Sequence, residues 1–247
     1  MAVIYRKKNN FSKKESGVSI ITPTNRPDYI NKLFNNFSRQ NYNNKEMIII
    51  LNNNTMNIRR YQKKAKEHKN VKVFQVDEKF NNADCRKFAF KYVNFEYIAF
   101  FDDDDFYGAN FLKQSMEAFK YVDCHMVGKL TNFVYFEESK TLAIWHYQPN
   151  YENKYSPGVV DSTMVFKRDL IDKIDYPSMP FGALSKLQVN CLKNNIKIYS
   201  TDRYNYVLHR HTNPNENHTW RKKEDEFLKE CKVIKENIID YTDYVIL

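Results

Sequence analysis

No apolar run in the 247 residues approaches the ~20 that cross a bilayer, and the opening stretch MAVIYRKKNNFSKKESG lacks the apolar core of a secretory leader. A cytosolic protein with at most peripheral membrane contact is therefore expected. Cysteine is sparse: Cys85, Cys124, Cys191 and Cys231 are widely separated and form no short CxxC spacing. That excludes a zinc-ribbon pattern and a disulfide framework and leaves them as small core residues. There is no internal repeat, and no low-complexity linker beyond the basic amino-terminal segment. One large domain over 1–247 is the expectation, with enough chain to bury a sizeable core.

Acidic residues are in the minority, 30 Asp and Glu against 39 Lys and Arg, for a formal net charge of +9. Such a balance admits nucleic acid, an anionic membrane face or a phosphorylated substrate as partners. The basic clusters at 6–8, 59–66 and 221–223 read mainly as solvated faces. No recognition motif accompanies them, so nucleic acid is not an expected partner.

Against this basic background, YIAFFDDDDFYGANF at 97–111 gathers four consecutive aspartates directly after an apolar run. Adjacent carboxylates repel, and a fold that keeps them together balances them with a cation or with donors. The surrounding pattern says where they lie. GVSIITPT, EMIIILNNN, VKVFQV and YIAFF read as four short buried strands. Ile30, Leu33, Phe34 and Phe37 mark one helix between them, 57–67 a second, and Cys85, Phe88, Ala89 and Tyr92 a third. Strand–helix units in series predict an α/β fold, a Rossmann-like, mostly parallel sheet flanked by helices. Ligands bind such a sheet beyond the carboxyl ends of its strands. The polar loops TPTNRP, NNNTMN, DEKFNNADCR and DDDDFYG all fall at that edge and should converge on one cleft.

After residue 120 the pattern changes. KLTNFVYFEES and TLAIWHYQ predict two antiparallel strands, and VVDSTMVFKRDLI a strand running into a helix. YNYVLHRHTNPNENHTW predicts a strand opening into a polar loop, and Phe227, Cys231, Ile234 and Ile238 a final helix. These read as additions to the sheet rather than a second domain.

At the ligand edge, Asp102 and Asp104 are the natural pair to face one hard cation. The competing reading is an acidic loop capping the helix that starts near Gly108, although capping needs only one aspartate. Arg86 begins a helix whose apolar face is made by other residues, so its loss should be felt in binding rather than in folding.

The segments VSIITPTNRPDYINKLFNNFSRQNY, EMIIILNNNT and ADCRKFAFKYVNFEYIAFFDDDDFY, taken in this order, resemble the amino-terminal half of a family 2 glycosyltransferase with the GT-A fold. The resemblance implies a nucleotide-sugar-binding half at 17–120, and an acceptor half with a carboxyl-terminal helix at 121–247. It places Thr22, Pro23, Thr24 and Asn25 around the base and ribose, Asn53 against the base, and Arg86 and Asp103 in the nucleotide pocket. Asp102 and Asp104 match the outer positions of DxD, which in the family hold Mn²⁺ or Mg²⁺ against the diphosphate. His211 fits the position of a histidine that completes the metal sphere, with His209 the alternate.

One departure is plain: where many members carry Gly-Glu-Asp, this chain reads FGALSKL, without a carboxylate. Asp161 is the preferred substitute as general base, ahead of Glu137 and Glu138. Trp145, Tyr151 and Trp220 are candidates for the acceptor site. The implied activity is metal-dependent, inverting sugar transfer from a nucleotide-diphosphate donor to a hydroxyl of a surface or envelope glycan. The alternatives are a non-catalytic sugar-nucleotide or glycan-binding protein of the same fold, and a nucleotidyltransferase.

Overall fold

The computed structural model describes residues 16–180, 182–211 and 222–247. Its first sheet opens with four parallel strands, β1 (Val18–Thr24), β2 (Lys45–Leu51), β3 (Val71–Gln75) and β4 (Tyr97–Phe100), in the spatial order β3-β2-β1-β4. Strand β2 is apolar from Met47 to Leu51 because both of its faces are covered. Ile48 and Ile50 enter one core cluster, and Met47, Ile49 and Leu51 enter the other. Each fully buried side chain of this size contributes about 1.5–3 kcal/mol. These two clusters, more than any loop contact, hold the sheet.

Helices α1 (Ile30–Ser38), α2 (Ile58–Ala65) and α3 (Asn82–Ala89) are the crossovers. Asn57 caps α2 by accepting from the N–H groups of Arg59 and Arg60, and Asn81 forms a capping box with Asp84 at the start of α3. Strand β5 (Phe106–Tyr107) and helix α4 (Phe111–Tyr121) follow the aspartates.

The first sheet then gains β6 (Met126–Gly128), β9 (Lys154–Tyr155), β10 (Val165–Lys167) and β11 (Ile198–Ser200), for the full order β3-β2-β1-β4-β10-β6-β11-β9. Strand β10 runs antiparallel to β4. Helices α5 (Leu170–Lys173) and α6 (Ala183–Lys193) follow it in the chain, and α6 packs on the sheet through Leu184, Leu187 and Cys191.

The predicted pair at 129–148 is the hairpin β7 (Asn132–Phe136) and β8 (Thr141–Trp145), with Asn132 opposite Trp145. It belongs to a second, five-stranded sheet, β13-β8-β7-β12-β5, built with β12 (Tyr206–Arg210) and β13 (Cys231–Lys235). The expected long final helix is therefore corrected. Phe227 ends up in a short helix, α7 (Glu224–Leu228), while Cys231 and Ile234 lie on β13. Strand β13 pairs antiparallel with β8. The open edge of the hairpin supplies backbone partners that a lone helix could not use. A last turn, α8 (Thr242–Val245), closes the described chain. Asp161 also departs from its expected place at the start of a strand: it opens a 3₁₀ turn, Asp161–Thr163, just before β10.

Candidate active site

The four aspartates follow the end of β4, and each has its own partners. Asp103 turns toward the end of β1, where Thr24 Oγ1 donates to it and Arg26 binds both of its oxygens, through Nη2 and, at 3.3 Å, through Nε. Arg26 also spans to Asp104 Oδ2 at 2.8 Å, so one guanidinium holds two neighbouring carboxylates. Asp104 further meets His211 Nε2 at 3.2 Å. Asp102, the most exposed of the ion-paired three with a side chain 36% accessible, takes Arg86 Nη2 at 3.1 Å. Asp105 points inward to the second sheet and accepts from Tyr206 Oη at 2.7 Å and from the His209 N–H at 3.0 Å.

Their charge states diverge accordingly. Burial and the charge of Asp104 push Asp103 up to about 6 against the pull of Arg26, and burial with the charges of Asp104 and Asp102 pushes Asp105 up to about 7. Burial also opposes ionisation of Asp104, but the hydrogen bonds from His211 and Arg26 outweigh it and hold this carboxyl well below the usual range. Of these three, Asp104 is the carboxyl held most firmly ionised.

His211 stands between Asp104 and Glu137, with Nδ1 2.9 Å from Glu137 Oε2. Burial works against its protonation, yet the two carboxylates prevail and raise it to about 9. In this arrangement the imidazolium donates to both acids, and it becomes a metal ligand only by losing a proton. Glu137 reaches on to His209 Nδ1 at 3.3 Å, and His209 Nε2 meets Tyr241 Oη at 2.6 Å. Burial lowers His209 to about 4, and its ring faces this network rather than the aspartates. Glu137 is the first residue of the turn joining β7 to β8, and that turn lies at the site.

Asp161 is tied into the same place. Its Oδ1 accepts from Gln188 Nε2 of α6 at 3.2 Å, and burial pushes it up to about 6, opposed by Arg86 and reinforced by Asp102. The turn that carries it is fastened by two tyrosines. Tyr107 Oη accepts from the Asp102 N–H and donates to the Ser162 carbonyl, both at 2.8 Å. Tyr206 Oη, besides holding Asp105, is 2.7 Å from Ser162 Oγ. The stretch FGALSKL contributes the start of α6, entered through Gly182 at φ 70°, and the first turn of that helix has no acidic residue.

The converging loops expected from the sequence do meet. Thr24, Arg86, Asp102, Asp103, Asp104, Asp161 and His211 come together. Asn53 Nδ2 donates to the Asn25 carbonyl at 3.3 Å on the rim, and Thr22 and Pro23 are buried in β1. Thr22 Oγ1 has no hydrogen-bond partner among the described residues. Arg86 is only 5% exposed and lies over the Phe100 ring at 4.6 Å, so it packs in the fold as well as pairing with Asp102. Trp145 packs on Phe227 in the second sheet, Tyr151 is half-buried, and Trp220 lies outside the described residues. Arg26, Tyr107 and Tyr206 were not assigned roles from sequence. Arg26 lies within the TPTNRP loop, a cation beside the ligand edge of the sheet. The tyrosines gave no signal apart from general aromatic abundance.

The chemistry of the donor set suits a hard divalent cation. Asp102, Asp104 and Asp105 each offer a carboxylate oxygen, and these oxygens lie within 4.8 Å of one another. Asp102 is the most open of the three; to hold such a cation Asp104 would have to exchange its contacts with Arg26 and His211, and Asp105 those with Tyr206 and the His209 N–H.

A mostly parallel sheet with an aspartate loop at its carboxyl edge, extended by an antiparallel second half, defines the GT-A class of fold. The chain belongs to Glycosyl transferase family 2, whose sequence pattern matches residues 19–175, more than half of its length. No curated protein matches it. Among solved structures it resembles Staphylococcus aureus TarS 1–349 in complex with UDP-GlcNAc, with a TM-score of 0.64 and 18% identity over 85% of this chain and 63% of that one. It also resembles the mannosyltransferase PcManGT from Pyrobaculum calidifontis in complex with GDP-Man and Mn²⁺, with a TM-score of 0.64 and 14% identity over 83% of this chain and 59% of that one. The chain thus spans about three fifths of the TarS fragment and of the mannosyltransferase and 37% of a longer TarS chain, and at such identities the likeness concerns the fold.

Proposed function

We propose that this protein transfers a sugar, with inversion, from a nucleotide-diphosphate donor to a hydroxyl of a surface or envelope glycan. The observation that carries the reading is the pairing of Asp102 and Asp104 at the end of β4, beside Arg86 and Arg26. Family membership and the two nucleotide-sugar complexes of similar fold support it. The nucleotide would lie past the ends of β1 and β2, meeting Thr24, Asn25 and Asn53, with the buried Thr22 and Pro23 behind them and Asp103 anchoring the inner wall. Mn²⁺ or Mg²⁺ on Asp102 and Asp104 would supply charge to neutralise the diphosphate as it departs.

The bond changes balance. The acceptor oxygen bonds to the anomeric carbon, the bond from that carbon to the diphosphate oxygen breaks, and the leaving group keeps the electron pair. The hydroxyl proton passes to Asp161, a reading supported by its link to Gln188 of α6, a helix without an acid of its own. Arg86 and Arg26 face the region in which the leaving charge develops.

Calorimetric titration with UDP and GDP, with and without Mn²⁺, tests the donor half. Wild type should bind one of them in a Mn²⁺-dependent manner, and Asp104→Asn should weaken that binding by at least about tenfold, the scale of one lost charge-assisted ligand. Metal-independent binding of equal strength in both proteins would refute it. The absence of acid in the first turn of α6 favours one rival, a non-catalytic binder. Nucleotide-sugar binding with neither hydrolysis nor transfer would identify that rival.

A further inference from the structure

Among the described residues, the densest run of positive charge lies away from the aspartate cleft. Between 58 and 73 there are seven basic residues and one acidic residue, Glu67, so this short stretch carries most of the chain's net +9. Helix α2 and edge strand β3 enclose a groove of about 640 Å³, lined by Arg59, Lys63, Lys66, His68 and Lys72 together with the β3 backbone edge, and by no carboxylate. Strands β2 and β1 separate it from β4 and the aspartates.

The arrangement is costly for an isolated fold. Arg59, Lys63 and Lys66 recur at i, i+4 and i+7, so they stand on one side of α2 and form a stripe about 10 Å long. Like charges at this spacing destabilise a helix. The first turn of α2 has no acidic residue and carries Arg59 and Arg60, which face the positive end of the helix dipole. All three stripe residues are exposed, and none makes an ion pair among the described residues. Lys72 is the exception in the groove, paired with Glu46 at 3.1 Å.

Two classes of anionic partner fit poorly. No large apolar side chain is exposed between 58 and 73, so nothing here would enter a bilayer as an interfacial anchor does. No Phe, Tyr or Trp ring lines the groove to stack a base, and its one imidazole, His68, is already stacked on Phe34 at 5.1 Å. What remains is a concave, cation-lined channel bounded by the open edge of a strand.

We propose that this groove holds a linear, base-free polyanion, a phosphate-bearing polymer lying along α2 and the edge of β3. Binding there stands independently of sugar transfer. Joined to the transferase reading, it identifies the acceptor as a charged chain held at a distance from the cleft.

Long-chain polyphosphate is the probe, titrated against the whole protein at several salt concentrations. Replacing Arg59, Lys63 and Lys66 together by Gln should weaken binding by at least about tenfold and lower the slope of log affinity against log salt by roughly three, one per lost contact. Replacing Lys87, Lys186 and Lys193 by Gln removes the same charge elsewhere and should change affinity by less than about threefold. Equal losses in both variants would reduce the effect to net charge and overturn the proposal. Tighter binding of wild type to phosphatidylglycerol vesicles or to a single-stranded oligonucleotide would overturn it in favour of those partners. Single substitutions of Lys63 and Lys66 repeat the comparison should the triple variant lose its circular-dichroism spectrum. Neither set touches the aspartate cleft, so loss of polyphosphate binding and loss of Mn²⁺-dependent nucleotide binding are separate results.

Discussion

Asp161 and the four aspartates share one hydrogen-bonded frame, because Tyr107 and Tyr206 each bond both to the aspartate loop and to Ser162. A base fixed in that frame has a defined test. Asp161→Asn is nearly isosteric and keeps the contact to Gln188 available, so nucleotide binding should persist while transfer falls by at least about 100-fold, the scale of general-base catalysis. Burial holds Asp161 up to about 6, and only its ionised form accepts a proton, so the transfer rate should decline as pH falls through that value. Rates with labelled sugar nucleotide and a screened glycan pool read both effects. Transfer by the Asn variant at the wild-type rate would remove Asp161 from the reaction.

At the scale of elements, β6 shows how tightly the turn bearing Asp161 is held against the sheet. A Cβ on Gly128 would come within 2.7 Å of Val159 Cγ2 and 2.8 Å of Thr163 Oγ1, closer than packed atoms approach. Thr163 Oγ1 also accepts the Lys129 N–H at 2.9 Å, so it cannot move without breaking that bond. Gly128→Ala should therefore cost about 1–3 kcal/mol in urea unfolding, the range for overpacking a filled core. It should also reduce transfer more than nucleotide binding, since the displaced turn carries Asp161 and not the nucleotide loops. Unchanged stability would mean the turn yields freely.

On the scale of the whole molecule, the two sheets share a core. Tyr206 of β12 packs with Phe101, Tyr107 and Phe111 in the cluster beneath the first sheet. A single cooperative thermal transition is expected; two resolved transitions would divide the chain into separate domains. Lys129 joins distant parts of this unit: it is 1% exposed and donates to Gln114 at 2.7 Å, Thr201 at 3.1 Å and the Asp202 carbonyl at 2.8 Å. Burial lowers it to about 8 from an ordinary 10.5, against the pull of Asp202 and Glu152. Between those values the unfolded chain binds more protons than the folded one, so stability attributable to Lys129 rises with pH across that window and is lowest below it. Denaturant titrations from pH 7 to 10 should show wild type gaining on Lys129→Met as pH rises. A constant difference would mean that Lys129 does not titrate in this window.

The first half of the fold was legible because its signals are local. Apolar runs such as MIIIL can be satisfied only between two covered faces, and the polar stretches after each run lie at the carboxyl edge by the handedness of the crossovers. Asp102, Asp104 and Arg86 could be named from order along the chain. The second sheet could not, because the segment around Cys231 carries an apolar spacing compatible with a helix and becomes strand β13 only through the hairpin edge beside it. The roles of Arg26, Glu137 and Tyr206 likewise depend on pairings across 77, 74 and 101 residues. Sequence alone determined the residue types and the strand ends that gather negative charge. The tertiary structure decided which aspartate faces the cleft, which is bound inward, and which cation answers each, because a carboxylate's environment is set by whatever the fold packs against it.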